Sequence, residues 1–218
     1  MANKKVAVIL SGCGVYDGAE IHESVLALLA LDRQGAEYQC FAPDIAQHHV
    51  INHLTGDEMP ESRNVLVEAA RIARGNIKPL SEFDMAAFDA LLLPGGFGAA
   101  KNLSSLAFDG PGCTVNADVA NTVSAMADAG KPIGALCIAP AVLAKILTGA
   151  KVTIGSDAGT IGAIEAMGGM HQETTHAEVV VDEQRKLVTS PCYMLDASIS
   201  QIADGADNTV KALLELAG

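Results

Sequence analysis

The sequence predicts a three-layer α/β fold, a mostly parallel open sheet with helices on both faces. Three observations carry this. Apolar runs without strict alternation recur along the chain, and such runs suit strands covered on both faces. Strand-like and helix-like stretches alternate from Lys5 to Leu147, the pattern of βαβ units. Glycine is frequent, at 21 of 218 residues, and collects where strand patterns end, as tight turns between layers require.

Taken in order, Lys5 to Leu10 reads as a buried strand, followed by the glycine-rich turn SGCGVYDG and a helix from about Ala19 to Gln34. Residues 24 to 31 of that helix are apolar nearly all round, which implies deep burial. Gly35 stops it, and Glu37 to Ala42 is the second strand. Residues 44 to 80 read as an insertion on one edge, with a loop or short hairpin and then a helix ended by Gly75. Ser81 to Ala87 suits a short helix, Asp89 to Leu93 a third strand, and Asn116 to Ala129 a helix.

Lys131 to Leu147, KPIGALCIAPAVLAKIL, passes from a strand into a helix, with Pro140 in the first turn where its missing N–H costs nothing. A strand follows from Lys151, then a short helix ended by Gly168-Gly169. Glu178 to Ser190 reads as a hairpin. Tyr193 to Leu216 is a closing helix with a bend or break expected at Gly205. No linker, repeat or low-complexity tract divides the chain, so residues 1–218 are expected to form a single domain.

Composition narrows the partners. A net charge of −12 without a basic stripe argues against nucleic acid. No apolar stretch approaches a membrane span, so no membrane partner is expected. MANKKVAVIL lacks a signal-peptide pattern, and the five cysteines are widely spaced with no CxxC. Reduced thiols and a cytoplasmic location are the expectation. His48, His49 and His53 lie in the insertion without ligand spacing, so solvated loop histidines are expected there, and no metal.

In an open parallel sheet, ligands sit beyond the carboxyl ends of the strands. The Gly12–Gly18 turn, the Gly95-Gly96 turn and Cys137 converge on that rim. Cys137 sits where the strand becomes a helix, the geometry of a nucleophile elbow with cysteine in place of serine. The helix N-terminus favours negative charge, which should lower the thiol pKa. The competing reading is an inert buried cysteine.

Glu23 lies early in an apolar helix with Leu26, Ala27 and Ala30 one turn on, so its face points inward, where a carboxyl tends to keep its proton. Its structural alternative is to stabilise the helix N-terminus, a task Glu20 suits better. The Gly95, Gly96 and Ile138 amides form a candidate oxyanion hole. His22 and His171 are candidate proton shuttles, although neighbours on a helix diverge by about 100° and so cannot both face Cys137 from positions 22 and 23.

Four segments carry a resemblance that spans almost the whole chain: ILSGCGVYDGAEIHE, PGGFGAAKNL, ALCIAP and VVVDEQRKLVTSP. Together they resemble the "enhancing lycopene biosynthesis" (ElbB) group of isoprenoid-biosynthesis glyoxalase-like proteins. That group lies within the class I glutamine amidotransferase-like superfamily, near the PfpI proteases and the parkinsonism-associated deglycase. The resemblance implies a flavodoxin-like sheet, a Cys137 nucleophile contacted by Glu23, donors at Gly96 and Ile138, a homodimer and a link to isoprenoid biosynthesis. The superfamily often has a histidine after the elbow helix. Here that region reads KVTIGSD, so no amidotransferase or peptidase triad is implied.

The function expected from this is a glyoxalase III-type lyase. It would act on a small aldehyde, glyoxal or methylglyoxal, without glutathione, metal or organic cofactor. A Cys137 hemithioacetal and proton transfer by Glu23 would lead to glycolate or lactate. One alternative is a redox-sensing or chaperone-like protein with an oxidisable Cys137. Another is dinucleotide binding by Gly12, Gly14 and Gly18 with Asp44 beyond the second strand.

Overall fold

The computed structural model describes residues 3–218. Its elements in chain order are β1 (Lys5–Ile9), α1 (Ile21–Arg33), β2 (Glu37–Ala42), α2 (Val65–Ile72), β3 (Ile77–Pro79) and β4 (Ala90–Leu93). The short helices α3 (Phe97–Lys101) and α4 (Leu106–Asp109) follow, then α5 (Ala117–Asp128), β5 (Ile133–Leu136), α6 (Ala139–Ile146), β6 (Lys151–Val152) and α7 (Ala158–Ala166). β7 (Met170–His171), β8 (Val180–Asp182), β9 (Leu187–Ser190) and α8 (Ile199–Ala217) complete the chain.

Seven strands form one sheet in the order β3-β2-β1-β4-β5-β9-β8. Every neighbouring pair is parallel except β8 with β9. The predicted fold class is therefore the observed one. β6 and β7 pair with each other in a separate parallel ribbon.

Side chains alternate across the sheet, so each strand feeds two cores. Ala7, Ile9, Leu91, Leu93, Ile133 and Ala135 meet Val119, Val123 and Met126 of α5 and the apolar face of α6. Val6, Val8, Leu10, Leu92 and Leu136 meet Ala27 and Leu31 of α1 and Ile202, Val210 and Leu213 of α8. Because both faces are covered, the central strands are buried at every position, which accounts for their lack of alternation.

Several boundaries differ from the sequence reading. Residues 77–79 form the edge strand β3, which three residues ending in Pro could not announce. The Gly95-Gly96 turn leads into α3, a stretch to which the sequence reading assigns no element. The closing helix begins at Ile199 under a Ser198–Gln201 capping box and runs through Gly205 without interruption. A Cβ on Gly205 would lie 3.2 Å from Ser190 Oγ and 3.5 Å from Cys192 Sγ, so this glycine serves close helix-to-strand packing instead of a bend.

Candidate active site

Strands β1, β4, β5 and β9 run parallel, so the turns after them share one rim. On that rim Cys137 occupies the left-handed region at φ 60°, an uncommon state for a residue with a Cβ. Its N–H donates to Ser190 O at 2.9 Å, which pins the junction to β9. Cys137 is 7% exposed. The strand-to-helix elbow expected around it is present, with Pro140 in the first turn of α6.

Glu23 is fully buried in the first turn of α1. Its Oε2 accepts from Gly95 N at 3.0 Å, and its Oε1 accepts from Tyr193 N at 3.1 Å. Its carboxyl lies beside the Cys137 thiol: a Cβ built on Gly95 would be 2.7 Å from Glu23 Oε2 and 2.9 Å from Cys137 Sγ. Glu20 takes the capping role, its Oε2 accepting from Glu23 N at 2.7 Å. The two acids have divided the tasks: one caps the helix and the other faces the thiol.

The electrostatics follow from this burial. Desolvation pushes the Glu23 carboxyl up from 4.5 to about 7, with Glu20 adding to the rise. The Tyr193 and Gly95 N–H groups and the Cys137 contact pull the other way. Burial also drives the Cys137 thiol well above its ordinary value, helped by the Glu23 charge and opposed by a hydrogen bond from Gly96 N–H. The expected low-pKa thiol is thereby corrected. Burial and a carboxylate at contact distance outweigh an eight-residue helix N-terminus. Near neutral pH the pair passes from two protons to one as the carboxyl titrates, the thiol keeping its own.

The glycines are fixed by contact. A Cβ on Gly95 would overlap Cβ of Cys137 and lie 2.7 Å from Glu23 Oε2. A Cβ on Gly96, at φ 95°, would overlap backbone of Gly18 and Glu20. The Gly95 N–H is committed to Glu23, so Gly95 holds the acid and is not an oxyanion donor, contrary to expectation. Gly96 and Ile138 both line the cleft above Cys137.

That cleft has a volume of about 390 Å³. Val15, Phe97, Ile138 and Met194 give it apolar walls, and Asp157, Thr160 and Tyr193 bring polar groups. Asp157 accepts from Thr160 N at 2.8 Å and Thr160 Oγ1 at 2.7 Å, bonds that hold its carboxyl below the usual range. No Lys, Arg or His is among the lining residues.

The histidines go elsewhere. His171 is on β7, where its Nε2 accepts from Ile154 N at 3.2 Å, and it is not among the residues lining the cleft. That expectation is corrected: His171 pairs with Val152 in the small ribbon. Burial lowers the pKa of this ring. His22 is exposed, and its Nδ1 lies 2.9 Å from Tyr193 Oη, so it meets the site through Tyr193.

His53 packs on Tyr16 with ring centroids 4.9 Å apart, and its Nε2 accepts from Tyr16 N at 3.2 Å. His48 and His49 pack against Phe108. His48 and His53 are exposed and His49 is half-buried, so the insertion histidines are solvated as expected while they pack on neighbouring rings. Among the described residues no cluster of three His, Cys, Asp or Glu side chains could hold a metal. The glycine turn also differs from a pyrophosphate loop. Gly14 N–H donates to Ala19 O, Gly18 N–H to Gly14 O, and Gly98 N–H to Gly18 O. Asp44 accepts from Asn64 Nδ2 at 2.8 Å.

Among the lining residues that sequence reasoning does not single out, Tyr193 is the one that also holds Glu23. It was assigned to the closing helix, whereas it lies in a 3-10 turn, Cys192–Met194, directly beyond β9. The signal was present: Pro191 follows a strand, and a strand that joins a parallel sheet delivers its next residues to the ligand rim.

Fold and site define an α/β protein with a cysteine on a nucleophile elbow and a buried glutamate beside it. The chain belongs to the DJ-1/PfpI family, whose model matches residues 4–194. It is 49% identical to the human glutamine amidotransferase-like class 1 domain-containing protein 3, mitochondrial, over 98% of this chain and 84% of that protein. A crystal structure of an isoprenoid biosynthesis protein with amidotransferase-like domain from Ehrlichia chaffeensis superposes with a TM-score of 0.92 at 38% identity, covering 98% of this chain and 99% of that one. Glyoxalase III from Candida albicans shares the fold, with a TM-score of 0.64 at 17% identity over 98% of this chain and 97% of that one.

The human relative, and rat and zebrafish relatives with it, are named mitochondrial proteins, which overturns the expected cytoplasmic location. The five free cysteines speak for a reducing environment, and that property does not single out the cytoplasm. Among the described residues no helix is long and apolar enough to cross a membrane.

Proposed function

We propose that this chain is a cofactor-independent lyase of the glyoxalase III type, acting on a small uncharged dicarbonyl such as methylglyoxal. The observation that carries the reading is the Glu23–Cys137 contact: an acid pushed to about 7 beside the only thiol among the residues lining the cleft. Apolar walls without a cationic side chain suit a neutral substrate better than an anionic one.

As Cys137 Sγ bonds to the aldehyde carbon, the C=O electron pair moves to oxygen. That oxygen takes the proton held by the Cys137–Glu23 pair. The Ile138 N–H is assigned to steady the developing charge. Glu23, now a carboxylate, removes the C–H proton of the hemithioacetal and returns it to the neighbouring carbon, giving a thioester. Water then releases the hydroxy acid and restores the thiol.

The test is to mix the purified chain with methylglyoxal in the absence of glutathione and assay lactate. Turnover that persists in Cys137→Ala would remove the mechanism. The burial and raised pKa of Cys137 weigh against the alternative of a readily oxidised sensor.

Assembly as a homodimer is part of the same reading. Ile21, Val25 and Leu29 are 43%, 46% and 37% exposed and form one stripe on α1. A stripe of this kind suits a second copy of the chain. Sedimentation of the native chain and of Val25→Asp tests it, and a native monomer at micromolar concentration would refute it.

A further inference from the structure

The mechanism needs a group to protonate the second carbonyl oxygen as the enediol forms, and the histidine often found after the elbow helix is absent here. We infer that the Tyr193 hydroxyl supplies this proton and that His22 connects it to solvent. The inference rests on the dicarbonyl reading above and extends it by one catalytic and one positioning residue.

Elimination within the cleft leads to Tyr193. Besides Cys137, three lining side chains have a hydroxyl or carboxyl: Asp157, Thr160 and Tyr193. Asp157 is held in its ionised form and has no proton to give. Thr160 Oγ1 already donates to Asp157 at 2.7 Å. Tyr193 is left, and its hydroxyl faces only the Nδ1 of His22, at 2.9 Å, in the hydrogen bonds of the described residues.

Its placement is not independent of the thiol–acid pair. The Tyr193 N–H donates to Glu23 Oε1, so one residue both holds the acid with its backbone and lines the cleft. The groups acting on this phenol are Glu20 and Glu23 of α1 and Cys192 of its own turn. With burial they raise its pKa, which keeps the proton on oxygen at neutral pH. Asp157 is the remaining charge across the cleft.

The proton count closes. When Glu23 takes the C–H proton, the electron pair forms the C=C bond and displaces the ketone π pair onto oxygen. That oxygen takes the Tyr193 proton. When Glu23 delivers its proton to the second carbon, the hydroxyl on the first carbon loses its own to Tyr193, through His22 and water, as the thioester carbonyl forms. His22 is exposed, so its ring exchanges with solvent without a buried path.

The experiment compares native chain, Tyr193→Phe, His22→Asn and His22→Ala, assaying lactate formation and measuring the Cys137 adduct, a mass gain of one substrate molecule, by rapid acid quench and intact-protein mass spectrometry. Tyr193→Phe should lower kcat about 100-fold with KM changed less than about 2-fold, within the range for loss of a general acid. The hemithioacetal should accumulate, because attack survives while enediol formation stalls. A merely structural role would lower adduct formation and turnover together. His22→Ala should cost about 10-fold, and His22→Asn, which retains a polar partner, should recover part of it. Turnover of Tyr193→Phe within 2-fold of native would overturn this inference and leave the lyase reading standing. A native chain that forms neither adduct nor lactate would overturn both.

Discussion

Two thiols on the same rim sit beside buried carboxylates, and they differ in what balances the charge. Cys13, in the glycine turn, is half-buried near Glu68. Glu68 is paired with Arg71 at 2.9 Å and Arg63 at 3.6 Å. Cys137 faces Glu23, which has N–H donors and the thiol itself but no cation among the described ion pairs. A buried carboxylate with arginines can stay charged and inert. One held only by amides is pushed toward neutrality and can trade a proton with its neighbour. A thiol beside an acid is therefore a weak signal until the acid's other partners are known.

The largest expected difference is in turnover. Cys137→Ala should lower lactate formation by at least about 1,000-fold, while Cys13→Ala should change it less than about 2-fold. Equal losses would mean that the comparison names the wrong thiol. Gly95→Ala comes next. Its Cβ would overlap Cys137, and a cost of about 2–4 kcal/mol is expected in urea unfolding, with activity lost.

The pH dependence of stability is the third test. Glu23 titrates at 4.5 when unfolded and at about 7 when folded. Between those values the folded chain binds more protons, so this group's contribution is fully present below 4.5 and is lost as pH rises through about 7. The loss is about 3 kcal/mol. Urea unfolding at pH 5 and pH 8 should show it in the native chain and not in Glu23→Gln. The smallest effect is on the other side of the comparison: Arg71→Ala should cost less than about 1 kcal/mol, because the arginine is 65% exposed and Arg63 remains.

Much of this site could be read from the chain. The elbow at Cys137, the inward Glu23 and the capping Glu20 follow from local pattern, because a helix fixes which side chains share a face. The fold class follows from uninterrupted apolar strands between amphipathic helices. The proton balance was not legible, since it depends on Gly95 and Tyr193, which lie 72 and 170 residues from Glu23 in the chain. Tyr193 was hidden by its neighbours: PCYMLDAS flows into a helical pattern, and only the parallel placement of β9 beside β5 reveals that it crosses the rim. His171 misled in the opposite way, since a histidine after a glycine pair has no meaning without the strand that orients it.

The central claim is that the Glu23 carboxyl, buried beside the Cys137 thiol, keeps its proton until near neutral pH. A carbon-13 NMR titration of the Glu23 side-chain carboxyl, in native chain and Cys137→Ala, tests it most directly. The account predicts a midpoint near 7 that moves when the thiol is removed. A midpoint near 4.5, unchanged by that substitution, would contradict it.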